Sequence, residues 1–387
     1  MRLSKLFAAG VAVLLSSSFF SATNAGDTLK VAHYDQPAQM GMPYGTFGAN
    51  GAYQLYAIFD GLTFVDDDKK VYPRLATEWK LKDKNTWVVK LRKGVTFHNG
   101  VPWNADAMLG NVDAINNDPV VSKQQARRQL ATIVSGKKID DYTVELTTKV
   151  PDPVLPKRLH IMRPHEPKAW ADLGPKGYAR EPVGTGSYKI VKWGNDGLKM
   201  TAFENAWRKP KTKNVEITII PEIATRVQAL NSGQVHIAWA LDTGAMPIVE
   251  AGGNKVVVSR RHDTLNLILH HRKEGSPVSD VRVRRALNYA YDKETFVKEV
   301  MGGMTKTNGQ PADSSATGYF PDIKPYPYDP AKAKKLLAEA GYPNGFDMKI
   351  EMVVASGEFG DTFQAMAGDF KKVGVNAELV VLTIPIF

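Results

Sequence analysis

The stretch that most constrains the fold is residues 182–188, PVGTGSY, which run directly into KIV at 189–191. Two glycines flank a threonine, and an aromatic residue then opens an apolar run. Glycine permits backbone conformations and close approaches that a Cβ would obstruct. The pattern predicts a tight backbone crossing that leads into a strand. We expect Gly186 in particular to occupy a position where a side chain is not tolerated.

The remaining chain alternates strand-like and helix-like segments, which predicts an α/β fold. Strands are predicted at 29–32, 62–65, 79–81, 86–91, 142–147, 188–193, 198–203, 215–220, 235–239, 346–354 and 377–384. Four polar residues stand where a helix should begin, and we predict them as N-caps: Asn104, Asp280, Asp292 and Asp329. The last has the clearest pattern, because Pro330 follows it at the first helical position and Gly341 stands after the last apolar residue.

Three motifs occur in a fixed order along the chain. The first spans 72–100 and includes YPRLATEW and LRKGVTFHNG, the second is the Gly-Thr-Gly crossing, and the third is YDPAKAKKLLAEAGY at 328–342. Together they resemble the extracellular solute-binding proteins of dipeptide- and oligopeptide-type ABC importers, known as family 5. The resemblance runs from about the first mature residue to the end of the chain.

This resemblance implies a two-lobed α/β fold like that of type II periplasmic binding proteins, with an additional inserted domain. A chain of this length also exceeds one compact core. We expect a signal peptide at 1–25, a discontinuous lobe I at 26–70 plus 182–263, an inserted domain at 71–181 and an opposing lobe at 264–387.

The chain ends in an apolar run, TIPIF, directly after a predicted strand. Chain ends are usually polar and frayed, and members of the family continue beyond this point. We therefore expect the C-terminal part of the opposing lobe to be incomplete. On that expectation, the 387-residue product would tend to associate and would bind peptides weakly.

The first residues have the composition of a secretory signal. Arg2 and Lys5 precede an apolar run, and small residues at 21–25 predict cleavage after Ala25. The chain has no cysteine, which excludes disulfides, thiolate metal sites and a lipid-anchored N-terminal cysteine. A freely diffusing binding protein suggests the periplasm of a double-membraned bacterium.

Charge and hydropathy narrow the possible partners. The formal charge of +10 falls to +8 without Arg2 and Lys5, and the basic residues are scattered rather than interleaved with aromatics. This favours a solvated basic surface over nucleic-acid binding. No stretch after the signal approaches the length of a membrane span. We expect a monomer whose partners are a small-molecule or short-peptide ligand and an inner-membrane ABC permease.

Ligand contacts are expected from loops that follow strands, because interlobe sites combine aromatic walls with a few fixed polar groups. By the resemblance, these segments face the cleft between the lobes. The candidate residues are Tyr34, Asp35, Tyr44, Trp239, Asp242 and Asn266. We expect Asn266 to lie at a strand entering the opposing lobe. No catalytic residue, metal ligand or cofactor is predicted.

The sequence indicates a binding protein that closes on a solute and delivers it to a permease, and not an enzyme. In dipeptide-type members an arginine binds the ligand carboxylate, but the matching stretch at 355–361, ASGEFGD, has none. Opine, sugar, metal-chelate or haem ligands therefore remain open. Two other classes also remain: a chaperone-like peptide binder, and a metal-dependent hydrolase using His165 and Glu166. We expect those two residues to lie in a surface loop, because Pro164 and Pro167 should break any helix there.

Overall fold

The structure is a computed structural model that describes residues 27–36, 41–45, 49–258, 264–314, 316, 318–352 and 358–382. The predicted signal peptide and residues 355–357 of the ASGEFGD stretch lie outside these residues. The strands are β1 (Thr28–His33), β2 (Thr63–Val65), β3 (Val71–Pro73), β4 (Ala76–Asp83), β5 (Thr86–Leu91), β6 (Ile133–Asp140), β7 (Thr143–Thr148), β8 (Tyr188–Gly194), β9 (Gly197–Ala202), β10 (Asn214–Ile219), β11 (Ile237–Ala238), β12 (Phe346–Met352) and β13 (Val375–Val381).

The helices are interspersed among these strands along the chain. They are α1 (Ala49–Ile58), α2 (Ala105–Asn117), α3 (Gln125–Gln129), α4 (Leu155–Arg158), α5 (Pro167–Tyr178), α6 (Ile223–Asn231), α7 (Met246–Ala251), α8 (Val281–Ala290), α9 (Lys293–Glu299), α10 (Pro330–Glu339) and α11 (Glu358–Lys372). No helix in the described ranges is both long enough and apolar enough to cross a bilayer.

A five-stranded mixed sheet has the order β11-β1-β10-β9-β8. Its centre is parallel: Thr28 pairs with Asn214 on one side of β1, and Val31 pairs with Ile237 on the other. The pairs β10–β9 and β9–β8 are antiparallel. The first strand of the chain thus joins strands that follow it by nearly two hundred residues, so this sheet is built from two distant parts of the sequence.

A second, four-stranded antiparallel sheet has the order β4-β5-β7-β6. Its inward residues, among them Trp87, Val89 and Val144, belong to the same apolar core as Leu198 and Met200 of the first sheet. The core therefore continues from one sheet into the other. Burying this shared apolar surface ties the two sheets together.

The C-terminal part of the chain, from Val278 to Val375, has its own core. Here β12 and β13 pair in parallel, and α8, α10 and α11 pack around them. The helix starts are those that the sequence predicts: Asp280 accepts from the backbone N–H of Arg282 at 2.7 Å, and Asp329 accepts from that of Lys332 at 2.9 Å. Asn104 and Asp292 cap α2 and α9 in the same way.

The Gly-Thr-Gly segment passes directly over the end of α1. The amide of Gly186 donates to the carbonyl of Ile58 at 2.9 Å, and a Cβ on Gly186 would lie 2.4 Å from the carbonyl oxygen of Ala57. At Gly184 a Cβ would lie 2.1 Å from the oxygen of Ile58. Neither glycine has a positive φ. The predicted crossing is confirmed, and close approach of two backbones is the reason that it needs glycine.

The side chain of Asp60 is hydrogen-bonded to this crossing. Its buried carboxylate accepts hydrogen bonds from Thr185 Oγ1 at 3.3 Å, Trp207 Nε1 at 2.8 Å and Arg208 Nη2 at 3.0 Å. Arg74 Nη1 lies 3.6 Å from the same carboxylate. Charged partners and hydrogen bonds compensate the burial of this charge.

Three expectations about local structure are wrong. The segment 160–166 is not a surface loop: Arg163, His165 and Glu166 are buried. Pro167 does not break a helix but begins α5 at a first-turn position, where its absent N–H costs nothing. No strand forms at 264–270, so Asn266 does not lie at a strand.

Candidate functional site

The carboxyl ends of β11, β1 and β10 meet at one edge of the first sheet, because the three strands are parallel. The loops that leave this edge are 34–36 after β1, 220–222 after β10 and 239–242 after β11. In open α/β sheets, ligands bind outside the carboxyl ends of such strands, where the connections diverge to either side of a central strand. We call this feature the carboxyl edge.

Three near-parallel rings line the carboxyl edge. The His33 ring lies 5.2 Å from Tyr34, with 15° between the ring planes, and 6.1 Å from Trp239, with 20° between them. Burial lowers the pKa of His33. Its Nδ1 accepts the backbone N–H of Asp35 at 3.1 Å, which is the role of a neutral ring. Tyr34 and Trp239 are only half-buried, so each leaves ring surface for a solute.

Polar groups flank the aromatic rings. Asp35 is exposed, and its backbone carbonyl accepts from Gln54 Nε2 at 3.3 Å. The other end of that buried amide, Oε1, has no hydrogen-bond partner among the described residues. Trp193 Nε1 donates to Gln36 Oε1 at 3.3 Å, which brings the β8–β9 turn to the same edge.

Asp242 shapes the loop that follows β11. Its carboxylate accepts the backbone N–H of Ala245 at 2.9 Å and so caps a short 3-10 turn. The neighbouring Thr243 Oγ1 donates to the carbonyl of Val300, beyond α9, at 3.0 Å. This hydrogen bond joins the loop after β11 to the residue that ends α9.

Arg226 lies beneath the edge. It is buried in α6, and its guanidinium donates to the carbonyls of Ile220 at 2.7 Å, Pro221 at 2.6 Å and Ala240 at 2.8 Å. Its Cζ lies 5.8 Å from the centre of the Tyr34 ring. One side chain therefore contacts residues from all three loops of the carboxyl edge.

The structure brings four of the six predicted residues to this edge: Tyr34, Asp35, Trp239 and Asp242. Tyr44 is instead buried in the shared core, where its hydroxyl donates to Asn111 Oδ1 at 2.8 Å and its ring packs edge-on against His165. Asn266 is exposed, and its amide donates to the carbonyl of Thr264 at 3.0 Å. The hydrogen bonds given for these two residues do not reach the carboxyl edge.

Sequence reasoning did not identify His33, Gln54, Trp193 or Arg226. A signal for Arg226 was present, because it stands three residues after Ile223 and four before Leu230, on the apolar stripe of a helix. A charged residue on such a stripe is buried only with polar partners. His33, at the end of a buried-type strand, gave a similar but weaker signal.

The geometry does not favour hydrolysis at His165 and Glu166. His165 is enclosed by Tyr44, Trp170 and Tyr178, and burial lowers its pKa to about 3. Glu166 caps α5 by accepting from the backbone N–H groups of Lys168 at 3.0 Å and Ala169 at 2.8 Å. Within the described ranges, no group of three His, Asp or Glu residues is arranged to hold a metal ion.

A separate groove of about 670 Å³ runs along the outer side of β8. Its walls come from the β8–β9 turn, from residues 180–183 and from Asn99, and they include Arg180, Lys189 and Lys192. It shares Trp193 with the carboxyl edge but none of the stacked rings, so we treat it as a different surface.

The comparisons with known proteins agree on one class of protein, the bacterial solute-binding proteins. Residues 70–384 match the family model described as bacterial extracellular solute-binding proteins, family 5 middle. The chain belongs to this family. The family assignment made from the three ordered motifs is thereby confirmed.

The relatives include the glutathione-binding protein GsiB of Pectobacterium atrosepticum, which is 30% identical over 298 residues. That alignment covers 75% of this chain but 57% of the relative, so the chain spans less than two thirds of that protein's length. Among solved structures, NikZ from Campylobacter jejuni in complex with Ni(L-His) gives a TM-score of 0.80 at 25% identity, covering 93% of this chain and 75% of NikZ.

A second solved structure supports the fold alone. DppA from Helicobacter pylori, in complex with the peptide STSA, gives a TM-score of 0.77 at 23% identity and covers 92% of this chain and 74% of DppA. The fold is therefore that of the type II periplasmic binding proteins, as the sequence predicts.

Proposed function

We propose that this protein is the substrate-binding component of an ABC importer, which captures a solute at the carboxyl edge and delivers it to an inner-membrane permease. The observation that carries the proposal is the arrangement of Tyr34, His33 and Trp239 on a sheet edge where ligands bind in open α/β folds. The protein acts by binding and release, and it is not an enzyme.

Capture requires the opposing lobe to close over the carboxyl edge. Interlobe sites of this kind close by a hinge, and residues of both lobes complete the site. We propose the boundaries already given: lobe I at 26–70 plus 182–263, the inserted domain at 71–181 and the opposing lobe at 264–387. The contact between Thr243 and Val300 supports a hinge near the end of β11.

We also propose export to the periplasm by the signal at 1–25 and action as a monomer. The extracellular character of the family supports export. The basic residues serve solubility rather than nucleic-acid binding. No cofactor is needed for capture and release.

The solute that we favour is a short peptide or an amino-acid derivative. Glutathione, the peptide STSA and Ni(L-His), which appear in the names of the relatives, all contain amino acids. On this chain, the half-buried rings of Tyr34 and Trp239 can pack against apolar parts of such a solute, and the exposed Asp35 carboxylate can accept from an amino group. Opine, sugar, metal-chelate and haem ligands are the alternatives.

A ligand panel tests the proposal. Glutathione, the tetrapeptide STSA and nickel–histidine would each be titrated by calorimetry and by thermal shift. A ligand that binds only the folded state stabilises it by about 2.7 kcal/mol at a hundred times its Kd. We expect at least one probe to raise the melting temperature and to be recovered unchanged.

Two variants locate the site. Tyr34→Ala and Trp239→Ala remove ring surface at the carboxyl edge, so each should weaken binding of that probe by roughly tenfold or more. Tyr72→Ala is the matched control, because Tyr72 is a partly exposed aromatic on β3. Equal affinity in all three variants would contradict the proposed site, and chemical turnover of a probe would contradict a pure binding role.

A further inference from the structure

The burial of Arg226, next to the carboxyl edge, is not explained by the packing of α6 alone. The side chain of Arg226 is almost fully enclosed, although arginine is rarely buried without an ionic partner. Its guanidinium forms no ion pair among the described residues, although the carboxylates of Glu222 and Asp242 lie close enough to favour its positive charge. Its Nε has no hydrogen-bond partner. A charge in this situation is disfavoured unless its remaining contacts offset the loss of water.

Those contacts are all made with the loops of the carboxyl edge. Nη1 binds the carbonyls of Ile220 and Pro221, at the end of β10, and Nη2 binds the carbonyl of Ala240, two residues beyond β11. Two loops that lie on opposite sides of β1 are thus held by one planar group. Hydrogen bonds to a charged donor are stronger than neutral ones.

The third of these contacts falls on a strained residue. Ala240 has φ of +53°, a left-handed conformation that is unfavourable for a residue with a Cβ. Strain of this kind persists only where the surroundings hold it, and it clusters at binding sites. The bond from Arg226 to the Ala240 carbonyl is such a restraint, and Trp239 immediately precedes the strained residue.

The same guanidinium also faces the first loop, since its Cζ lies 5.8 Å from the Tyr34 ring centre. We propose that Arg226 is a positioning residue for the solute-binding wall, by which we mean the rings of Tyr34 and Trp239 at the carboxyl edge. By holding the turn at Ala240, Arg226 fixes the position of Trp239 relative to Tyr34. This inference rests on the proposed function. Arg226 itself lies beneath the wall and acts through these neighbours.

Lysine cannot replace arginine in this role. A guanidinium presents several N–H donors in a fixed plane, whereas an ammonium is a single point on a flexible stem. Arg226→Lys therefore retains the charge but cannot bind both loops at once. Arg284→Lys is the matched control, because Arg284 Nη1 also binds two carbonyls, those of Val278 at 2.9 Å and Ser279 at 2.8 Å, in the opposing lobe.

Fluorine NMR of protein labelled with fluorotryptophan gives a readout that needs no ligand. The chain has seven tryptophans, and Trp239→Phe assigns the resonance of interest. We expect Arg226→Lys to shift or broaden the Trp239 resonance and to leave those of Trp87 and Trp103 unchanged. Arg284→Lys should leave all three unchanged. A purely structural role would lower the melting temperature without moving Trp239, and that result would overturn the inference.

A second variant covers the case in which Arg226→Lys folds poorly. Ala240→Gly removes the backbone strain, so Arg226→Lys combined with Ala240→Gly should regain stability while its Trp239 resonance stays displaced. A wild-type Trp239 resonance in that double variant would show that the guanidinium does not position the wall.

Glutathione titration provides the functional arm. If glutathione binds the wild type, Arg226→Lys should weaken it by about tenfold, and Arg284→Lys should not. Unchanged affinity in Arg226→Lys would overturn the inference. If glutathione does not bind the wild type, glutathione is not the solute, and the fluorine experiment still decides the role of Arg226.

Discussion

The backbone crossing at Gly186 gives the sharpest test of how this fold is held. In Gly186→Ala the new Cβ would lie 2.4 Å from Ala57 O and 2.5 Å from Ile58 C, both backbone atoms that have no rotamer to change. The two segments must therefore move apart by several tenths of an ångström. The movement strains the bonds that Gly186 makes to Ile58 at 2.9 Å and to His98 Nε2 at 3.1 Å.

The expected loss follows from these contacts. Overpacking costs about 1–3 kcal/mol, and two weakened hydrogen bonds cost about 1 kcal/mol each, so the loss is about 3–5 kcal/mol. At roughly 2–4 °C per kcal/mol the melting temperature should fall by about 10 °C. Circular dichroism melts measure this fall. Gly368→Ala in α11 is the control, since its Cβ would meet nothing within 4 Å, and it should be neutral or slightly stabilising. A Gly186→Ala protein that melts with the wild type would refute the reasoning.

Three further predictions address charge, pH and export. Asp60→Asn leaves Arg74 and Arg208 without their buried carboxylate and should lower the free energy of unfolding, measured in urea, by about 3 kcal/mol. The control Asp172→Asn removes one partner of an exposed ion pair with Lys168 and should change this free energy by less than about 0.5 kcal/mol. Equal losses in the two variants would contradict the role of burial. Burial lowers the pKa of His98 from 6.5 to about 4, so the folded state holds this ring neutral. The contribution of His98 to stability is therefore complete above pH 6.5 and is lost as the pH falls toward 4. His98→Gln should therefore flatten the fall in stability over that window, more than the exposed control His271→Gln; an unchanged slope would count against it. Protein exported from a bacterial host should begin at Gly26, and N-terminal sequencing that finds a start far from this residue would contradict the predicted cleavage.

Local structure was predictable from the sequence wherever residues close together in the chain determine it. Asp329, Pro330 and Gly341 mark both ends of α10, because capping and the φ preferences of proline and glycine act within a few residues. The Gly-Thr-Gly crossing was predictable for a different reason, because two glycines so close together indicate a segment that another backbone approaches closely. Even so, the prediction that Pro167 breaks a helix was wrong: Pro167 begins α5, since Glu166 before it supplies the cap.

The candidate site was only partly predictable, because tertiary structure decides which distant residues meet. Parallel pairing of Val31 with Ile237 brings Tyr34 and Trp239 to one edge. Two tyrosines that the sequence could not distinguish have different positions in the fold. Tyr44 is buried in the core, where it binds Asn111, whereas Tyr34 lies at the carboxyl edge. By itself, the sequence determined the family, the alternation of strands and helices and the ends of several helices, because these depend on contacts within one segment. The carboxyl edge, the strain at Ala240 and the position of Arg226 beneath it depend on strands and loops that are far apart in the chain, and only the packed fold brings them together.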